Sequence, residues 1–260
     1  MTGSSYENAA NLSPEFISGT LARKAGTALG DQEVRGLVLL DVVGALWRWS
    51  DFTHGEPSAR HDRRVVAVDP SGGTRNVGNA ETGIIEAGIV GQRVELLRDA
   101  SGHHDPEAWG RAVIDLYDLD GCDAIVAETN FGAEMVRATI DLVSRLPETV
   151  RDRRERGTER PIQIEEVNAS HAWHERAAYV QPLWRSKMVM HAGDPREWVE
   201  LEHQMRHGDP ARPKKGQRLD RLDAAVHAVT WLTTQRASRL PDISREAVGD
   251  FWASVAAGIR

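Results

Sequence analysis

Three carboxylates occupy positions where a soluble protein seldom puts a charge. Asp69 closes the run Val65-Val66-Ala67-Val68, and Glu128 closes Ala124-Ile125-Val126-Ala127. Asp223 lies inside the helical pattern Leu219-Asp220-Arg221-Leu222-Asp223-Ala224-Ala225-Val226. A charge beside a core is costly unless it is paired or bound to a cation. Acids at the ends of two strands and on one helix, if the fold brings them together, make an all-oxygen site suited to Mg²⁺ or Mn²⁺. Two such ions about 4 Å apart activate a water and stabilise the leaving oxygen of an in-line displacement. The pattern therefore points to metal-assisted phosphoryl chemistry, with Asp69 as the natural ligand shared by the two ions. Without metal the clustered acids would repel one another, and some would keep their protons.

Each acid also has a plainer reading. Asp69-Pro70 can simply end a strand, since both residues favour turns. Glu128-Thr129-Asn130 can be a strand-to-helix junction with Asn130 as the cap. Asp223 is harder to dismiss, because it lies on the apolar stripe of its helix, and Arg221, two residues away, does not face it. Other candidates are weaker. His203 and His207 are spaced i, i+4 but lack the glutamate of a His-Glu-x-x-His motif, and His171 and His174 have no evident third ligand; both pairs read as helix surface. Gly72-Gly73 belongs to neither a P-loop nor a dinucleotide-binding fingerprint, so no organic cofactor is implied. Arg151 to Arg156, interspersed with acids, reads as a solvated loop. The basic loop Arg212-Pro213-Lys214-Lys215-Gly216-Gln217-Arg218 feeds directly into the helix of Asp223 and suits contact with a phosphate backbone.

The elements that must position these residues read as follows. Val65 to Asp69 is a buried β-branched strand, and Thr82–Val90 and Gln92–Leu97 are two more, turning at Gly91. Asp105-Pro106-Glu107 starts a helix running to about Leu119, with Asp105 as N-cap. Asp123–Glu128 is a strand and Gly132–Leu146 a helix; Ile162–Val167 is a strand and His171–Trp184 a helix. A short strand at Met188–His191, a helix at Arg196–Met205 and a final helix from about Leu219 to Arg236 complete the series. The order predicts an α/β fold with a mixed sheet flanked by helices. Residues 1–60 read as short helices and linker without a core of their own, ahead of a domain at 61–260.

Composition narrows the setting. The chain has 260 residues, 40% of them hydrophobic, enough for one good-sized core. The absence of an apolar run near the ~20 residues that span a bilayer argues against a membrane role, and the N-terminus opens no signal-peptide pattern. The single cysteine, Cys122, excludes an internal disulfide and a cysteine-rich zinc site, which favours a reducing cytoplasm. A net charge of −7 lacks the basic footprint of a free-standing nucleic-acid binder. A polyanion would have to be gripped locally, with help from metal ions and partner subunits.

The chain resembles the C-terminal part of the large subunit of tailed-phage terminases, the DNA-packaging motor. Arg64-Val65-Val66-Ala67-Val68-Asp69-Pro70 followed by Glu81-Thr82-Gly83-Ile84 is similar to the opening hairpin of the nuclease domain. Ile125-Val126-Ala127-Glu128-Thr129-Asn130-Phe131-Gly132 resembles its second acidic motif, and Asp220-Arg221-Leu222-Asp223-Ala224 its last. Arg176-Ala177, Met190-His191 and Leu201-Glu202 look like its middle signatures. Upstream, Ala25-Gly26-Thr27-Ala28-Leu29-Gly30-Asp31-Gln32-Glu33 and Gly44-Ala45-Leu46-Trp47 are similar to the segment joining the packaging ATPase to the nuclease, so residues 1–60 resemble a remnant of the ATPase C-terminal region.

The resemblance implies a ribonuclease-H-like fold and a two-metal, Mg²⁺- or Mn²⁺-dependent endonuclease that cuts concatemeric phage DNA. It maps the catalytic acids onto Asp69, Glu128 and Asp223, with Asp220 as a supporting metal ligand, and backbone contacts onto Arg176 together with Lys214, Lys215 and Arg218. Implied partners are double-stranded DNA, the packaging ATPase, the small terminase subunit and the portal, inside the bacterial host cytoplasm. The sequence departs from the pattern at Trp173, where a lysine is expected three residues before Arg176-Ala177, and it holds no Gly-x-x-x-x-Gly-Lys-Ser/Thr motif. A chain of this kind would cut DNA but not translocate it. Two alternatives stay open: a non-catalytic packaging and docking module, and another ribonuclease-H-fold nuclease such as a junction resolvase.

Overall fold

The β-branched run at Arg63–Pro70 forms an interior strand of a seven-stranded sheet, between the strand that follows it in the chain and the one at Ala124–Glu128. The computed structural model describes residues 46–70, 81–128, 131–167, 173–207 and 219–237, and of 131–133, 173–176 and 235–237 the backbone alone. In chain order the strands are β1 (His54–Gly55), β2 (Arg63–Pro70), β3 (Thr82–Val90), β4 (Arg93–Asp99), β5 (Ala124–Glu128), β6 (Ile164–Val167) and β7 (Val189–Ala192). The helices are α1 (Pro106–Leu119), α2 (Phe131–Ser144), α3 (Pro147–Arg156), α4 (Trp173–Arg185), α5 (Val199–His207) and α6 (Asp220–Ala237).

The sheet order is β1-β7-β4-β3-β2-β5-β6. β2, β3 and β4 form an antiparallel meander whose β3–β4 turn is made by Gly91 at φ 57°, a left-handed conformation that glycine adopts without strain. β5 and then β6 add parallel to β2, while β7 and β1 add parallel on the far side of β4. This is the expected mixed sheet flanked by helices.

The period-two alternation of the central strands decides which side chains go where. Val65 and Ala67 of β2, Ile85 and Ala87 of β3 and Val126 of β5 face one side, where they pack with Leu222, Ala225, Val226 and Val229 of α6 and with Trp184 of α4. Val66, Val68, Ile84 and Ile125 face the other, against Trp109, Val113 and Ile114 of α1 and Val136 and Ile140 of α2. Helix α1 begins where local chemistry directs: Asp105 Oδ1 accepts from the Ala108 amide at 2.8 Å, and Pro106 fills the first turn.

Two sequence readings change. The charged stretch read as a loop, including Arg151 to Arg156, is the helix α3; Arg153 donates to Asp118 at 2.6 Å, Arg156 to Asp115 at 2.7 Å and Arg111 to Asp152 at 3.1 Å. Gly157, at φ 69°, caps it in the left-handed region. The helix expected at Arg196–Met205 is a 3₁₀ turn at Pro195–Trp198 followed by α5. Most of residues 1–60 lies outside the described residues, but its described end joins the sheet: β1 pairs with β7, and Trp47 and Phe52 are buried in the core.

Candidate active site

Two features of the backbone bring the strand acids together. In the parallel β2–β5 pair, Val65 lies opposite Ala124 and Ala67 opposite Val126; the same register carried two residues on sets Asp69 beside Glu128. Being in phase with Val65 and Ala67, and with Ala124 and Val126, both carboxylates point to the face covered by α6. One ligand atom from each of Asp69, Glu128 and His227 lies within 4.8 Å of the others. Asp69 and Glu128 are half-buried, and His227 is 1% exposed, with its Nε2 3.8 Å from Glu128 Oε2.

The helix is seated against the strands by contact between backbones. Gly83 of β3 lies opposite Asp69 of β2, and a Cβ on Gly83 would sit 1.9 Å from the Asp220 carbonyl oxygen. Only glycine allows the first turn of α6 to rest there. Asp220 and Asp223, both half-buried, are in that first turn, next to the end of β2. His227 follows Asp223 by one turn, on the same side of the helix. Arg221 fixes the turn from the other side: its guanidinium binds Glu81, and its Nη1 donates to Asp99 Oδ2 at 2.8 Å. Burial alone would weaken the charge on Arg221, but these two carboxylates outweigh it and raise its pKa. Gln204 of α5 completes the clamp, accepting from the Leu222 amide at 3.1 Å and donating to Glu81 at 3.3 Å.

His227 is the residue that sequence reasoning missed. Its signal was an i, i+4 relation to Asp223, but a lone histidine among alanines and valines reads as core. Arg176 is a position in α4, while Lys214, Lys215 and Arg218 lie outside the described residues, as do Gly72, Gly73 and His171. His203 and His207 stack on α5 with ring centroids 4.0 Å apart, in keeping with a helix-surface pair.

Among the described residues a second group has metal-ligand composition, His54, His191 and Glu202. Its atoms are joined by hydrogen bonds: Glu202 Oε1 is 2.6 Å from His54 Nε2 and 2.8 Å from His191 Nδ1, and Trp184 Nε1 donates to His191 Nε2 at 3.0 Å. His191 therefore accepts at Nε2 and carries its proton on Nδ1, which donates to Glu202. Burial holds the His191 pKa below its usual value despite Glu202, while the two histidines outweigh burial at Glu202 and lower its pKa. Met190-His191 and Leu201-Glu202 thus build a buried strut between β7, β1 and α5.

Two further carboxylates lie under the opposite face. Glu95 is fully buried, yet hydrogen bonds from Ser58, His61 and Arg93 overcome that burial and pull its pKa down to about 2. Glu86 goes the other way, pushed up to about 7 by burial and by the nearby Asp120. Arg64 and Arg98 approach Glu86 only to 3.6 and 3.9 Å, beyond hydrogen-bond range, and its Oε1 has no hydrogen-bond partner. Repulsion and burial therefore prevail over the two arginines.

No protein-family model matches the chain, and no curated protein matches it. Solved structures do. The large terminase of a thermophilic bacteriophage aligns at TM-score 0.44 and 12% identity, over 87% of this chain and 55% of that one. The human cytomegalovirus terminase nuclease domain aligns at TM-score 0.43 and 14% identity, over 67% of this chain and 86% of that one. The yeast mitochondrial Holliday junction resolvase aligns at TM-score 0.42 and 11% identity, over 69% and 83% of the two chains. The chain spans about half the length of the phage terminase.

Proposed function

We propose that the chain is a divalent-metal-dependent DNA endonuclease of phage genome packaging. The observation that carries this reading is the convergence of Asp69, Glu128 and His227 to within 4.8 Å under the first turns of α6. Oxygen ligands on one Mg²⁺ or Mn²⁺ at about 2.1 Å lie roughly 3 to 4.2 Å from one another, so side chains this close need only small adjustments to share an ion. Asp69 and Glu128 supply ligands from strand ends fixed by the sheet. Asp223 is the third catalytic acid in this reading, with Asp220 supporting the metal centre.

Bound at these oxygens, two Mg²⁺ or Mn²⁺ ions supply an activated water and charge stabilisation for an in-line attack at phosphorus. The protein's own contribution is placement. The β2–β5 register holds two carboxylates side by side, Gly83 lets α6 approach them, and Arg221 locks the helix in position while its own charge is spent on Glu81 and Asp99. Grip on the DNA backbone is assigned to Arg176, Lys214, Lys215 and Arg218, compensating locally for an acidic chain. The packaging ATPase, the small terminase subunit and the portal are the proposed partners, in the cytoplasm of the bacterial host.

Nicking of supercoiled plasmid in Mn²⁺, with Asp69→Asn and Asp223→Asn beside the wild type, tests the reading. Cutting by the wild type alone, with all three proteins equally folded by circular dichroism, is the expected result. Full activity in either variant would refute the assignment. Absence of any metal-dependent cleavage, together with no thermal shift in Mn²⁺, would favour a docking module. Preference for branched over linear duplex would favour a junction-resolving enzyme.

A further inference from the structure

We infer that His227 is a direct metal ligand through its imidazole nitrogen, making the centre a mixed nitrogen–oxygen site that prefers Mn²⁺ to Mg²⁺. The inference rests on the metal-dependent reading above and goes beyond it by naming a ligand and a selectivity. Its ground is the contrast between the two histidine–carboxylate groups of the molecule. In the His54–His191–Glu202 group, nitrogen and oxygen are 2.6 and 2.8 Å apart, the spacing of direct hydrogen bonds, which leaves no room for an ion between them. In the Asp69–Glu128–His227 group, His227 Nε2 and Glu128 Oε2 are 3.8 Å apart. That is too long for a hydrogen bond but lies between the roughly 3 Å and 4.2 Å of adjacent and opposite ligands on one ion at about 2.1 Å.

Placement supports the same assignment. His227 projects from α6 one turn beyond Asp223, toward two carboxylates fixed by strand register, and its ring is 1% exposed. A ring this buried cannot swing out into solvent, so its nitrogen stays beside the two acids. Imidazole nitrogen is a softer donor than carboxylate oxygen. Mg²⁺ favours all-oxygen ligands and resists dehydration, whereas later and larger first-row ions accept nitrogen readily. Replacing one oxygen ligand by His227 therefore biases the centre toward Mn²⁺.

The test combines binding and spectroscopy on the full chain. Mn²⁺ and Mg²⁺ affinities are measured by calorimetry for the wild type, Asp69→Asn and His227→Gln. Electron spin-echo envelope modulation of bound Mn²⁺ is recorded on protein with natural-abundance and ¹⁵N-labelled histidine. The inference predicts a directly coordinated nitrogen signal in the wild type that changes with the label. It also predicts at least about a tenfold loss of Mn²⁺ affinity in His227→Gln with a smaller change for Mg²⁺. Mn²⁺ binding that depends on Asp69 but shows no histidine nitrogen would overturn the inference and leave the metal reading standing. No Mn²⁺ binding by the folded wild type would overturn both. The spectrum of the wild type needs no variant to fold, so a destabilised His227→Gln does not rescue the idea.

Discussion

Gly83→Ala is the sharpest test of how the site is assembled, because the added atom touches neither a catalytic carboxylate nor the metal position. The new Cβ would fall 1.9 Å from the Asp220 carbonyl oxygen and 2.4 Å from its carbonyl carbon, both backbone atoms that no rotamer change can move. Ordinary contact begins near 3.4 Å, so the first turn of α6 must retreat by roughly 1.5 Å. It is not free to do so. Arg221 holds it to Glu81 and Asp99, Gln204 holds the Leu222 amide, and Leu222, Ala225 and Val226 are buried against the sheet. Overpacking of this kind costs about 1–3 kcal/mol, which for a chain of this size lowers Tm by roughly 3–10 °C. The retreat also carries Asp223 and His227 away from Asp69 and Glu128, and misplacement near 1 Å can cost about 100-fold in rate. Differential scanning fluorimetry, Mn²⁺ calorimetry and plasmid nicking report the three consequences separately. Gly91→Ala is the control: that site has open space around it and only a positive φ, so it should cost about 1 kcal/mol and leave Mn²⁺ affinity unchanged. If Gly83→Ala kept wild-type Tm and wild-type Mn²⁺ affinity, seating α6 on Gly83 would not be what positions the site.

Three further outcomes follow from the same structure. Asp69→Asn should remove Mn²⁺-dependent nicking and weaken Mn²⁺ binding while preserving Tm in metal-free buffer, and calorimetry beside melting curves separates the two. Glu86 gives a pH dependence whose sign is fixed: with a pKa near 4.5 unfolded and about 7 folded, the folded state binds more protons between those values, so stability falls as pH rises through that window. Glu86→Gln should abolish that slope and be more stable than wild type at pH 8, by up to about 3 kcal/mol, with the gap closing near pH 4.5; urea unfolding at the two pH values decides it. Glu202→Ala strips two histidines of their shared acceptor and should cost about 3 kcal/mol in urea unfolding without changing Mn²⁺ affinity; a large loss of affinity would make that group the metal site instead.

How much of this was legible in the sequence depends on how local the deciding physics is. Asp105-Pro106 starts α1 as read, because a cap and a first-turn proline act within four residues. Val65 to Asp69 reads as a strand because burial on both faces leaves a continuous apolar run, and the charge that ends it stands out against that run. The α3 helix was missed for the complementary reason. Its ten residues offer no apolar stripe, and its arginines are held by Asp115 and Asp118 on α1, partners known only once the chain has folded; the Pro147 start and the Gly157 stop were the local signs available. His227 was hidden by the same logic in reverse, since its neighbours in sequence are apolar and its neighbours in space are acids from two strands. Gly83 is the clearest case. In sequence it is one small residue inside a strand, whereas in the fold it is the point where helix backbone meets sheet backbone beside Asp69. A site of this type is specified less by its acids than by the residue that lets α6 descend onto them, and such permission, being the absence of a side chain, leaves no chemical signature of its own in the sequence.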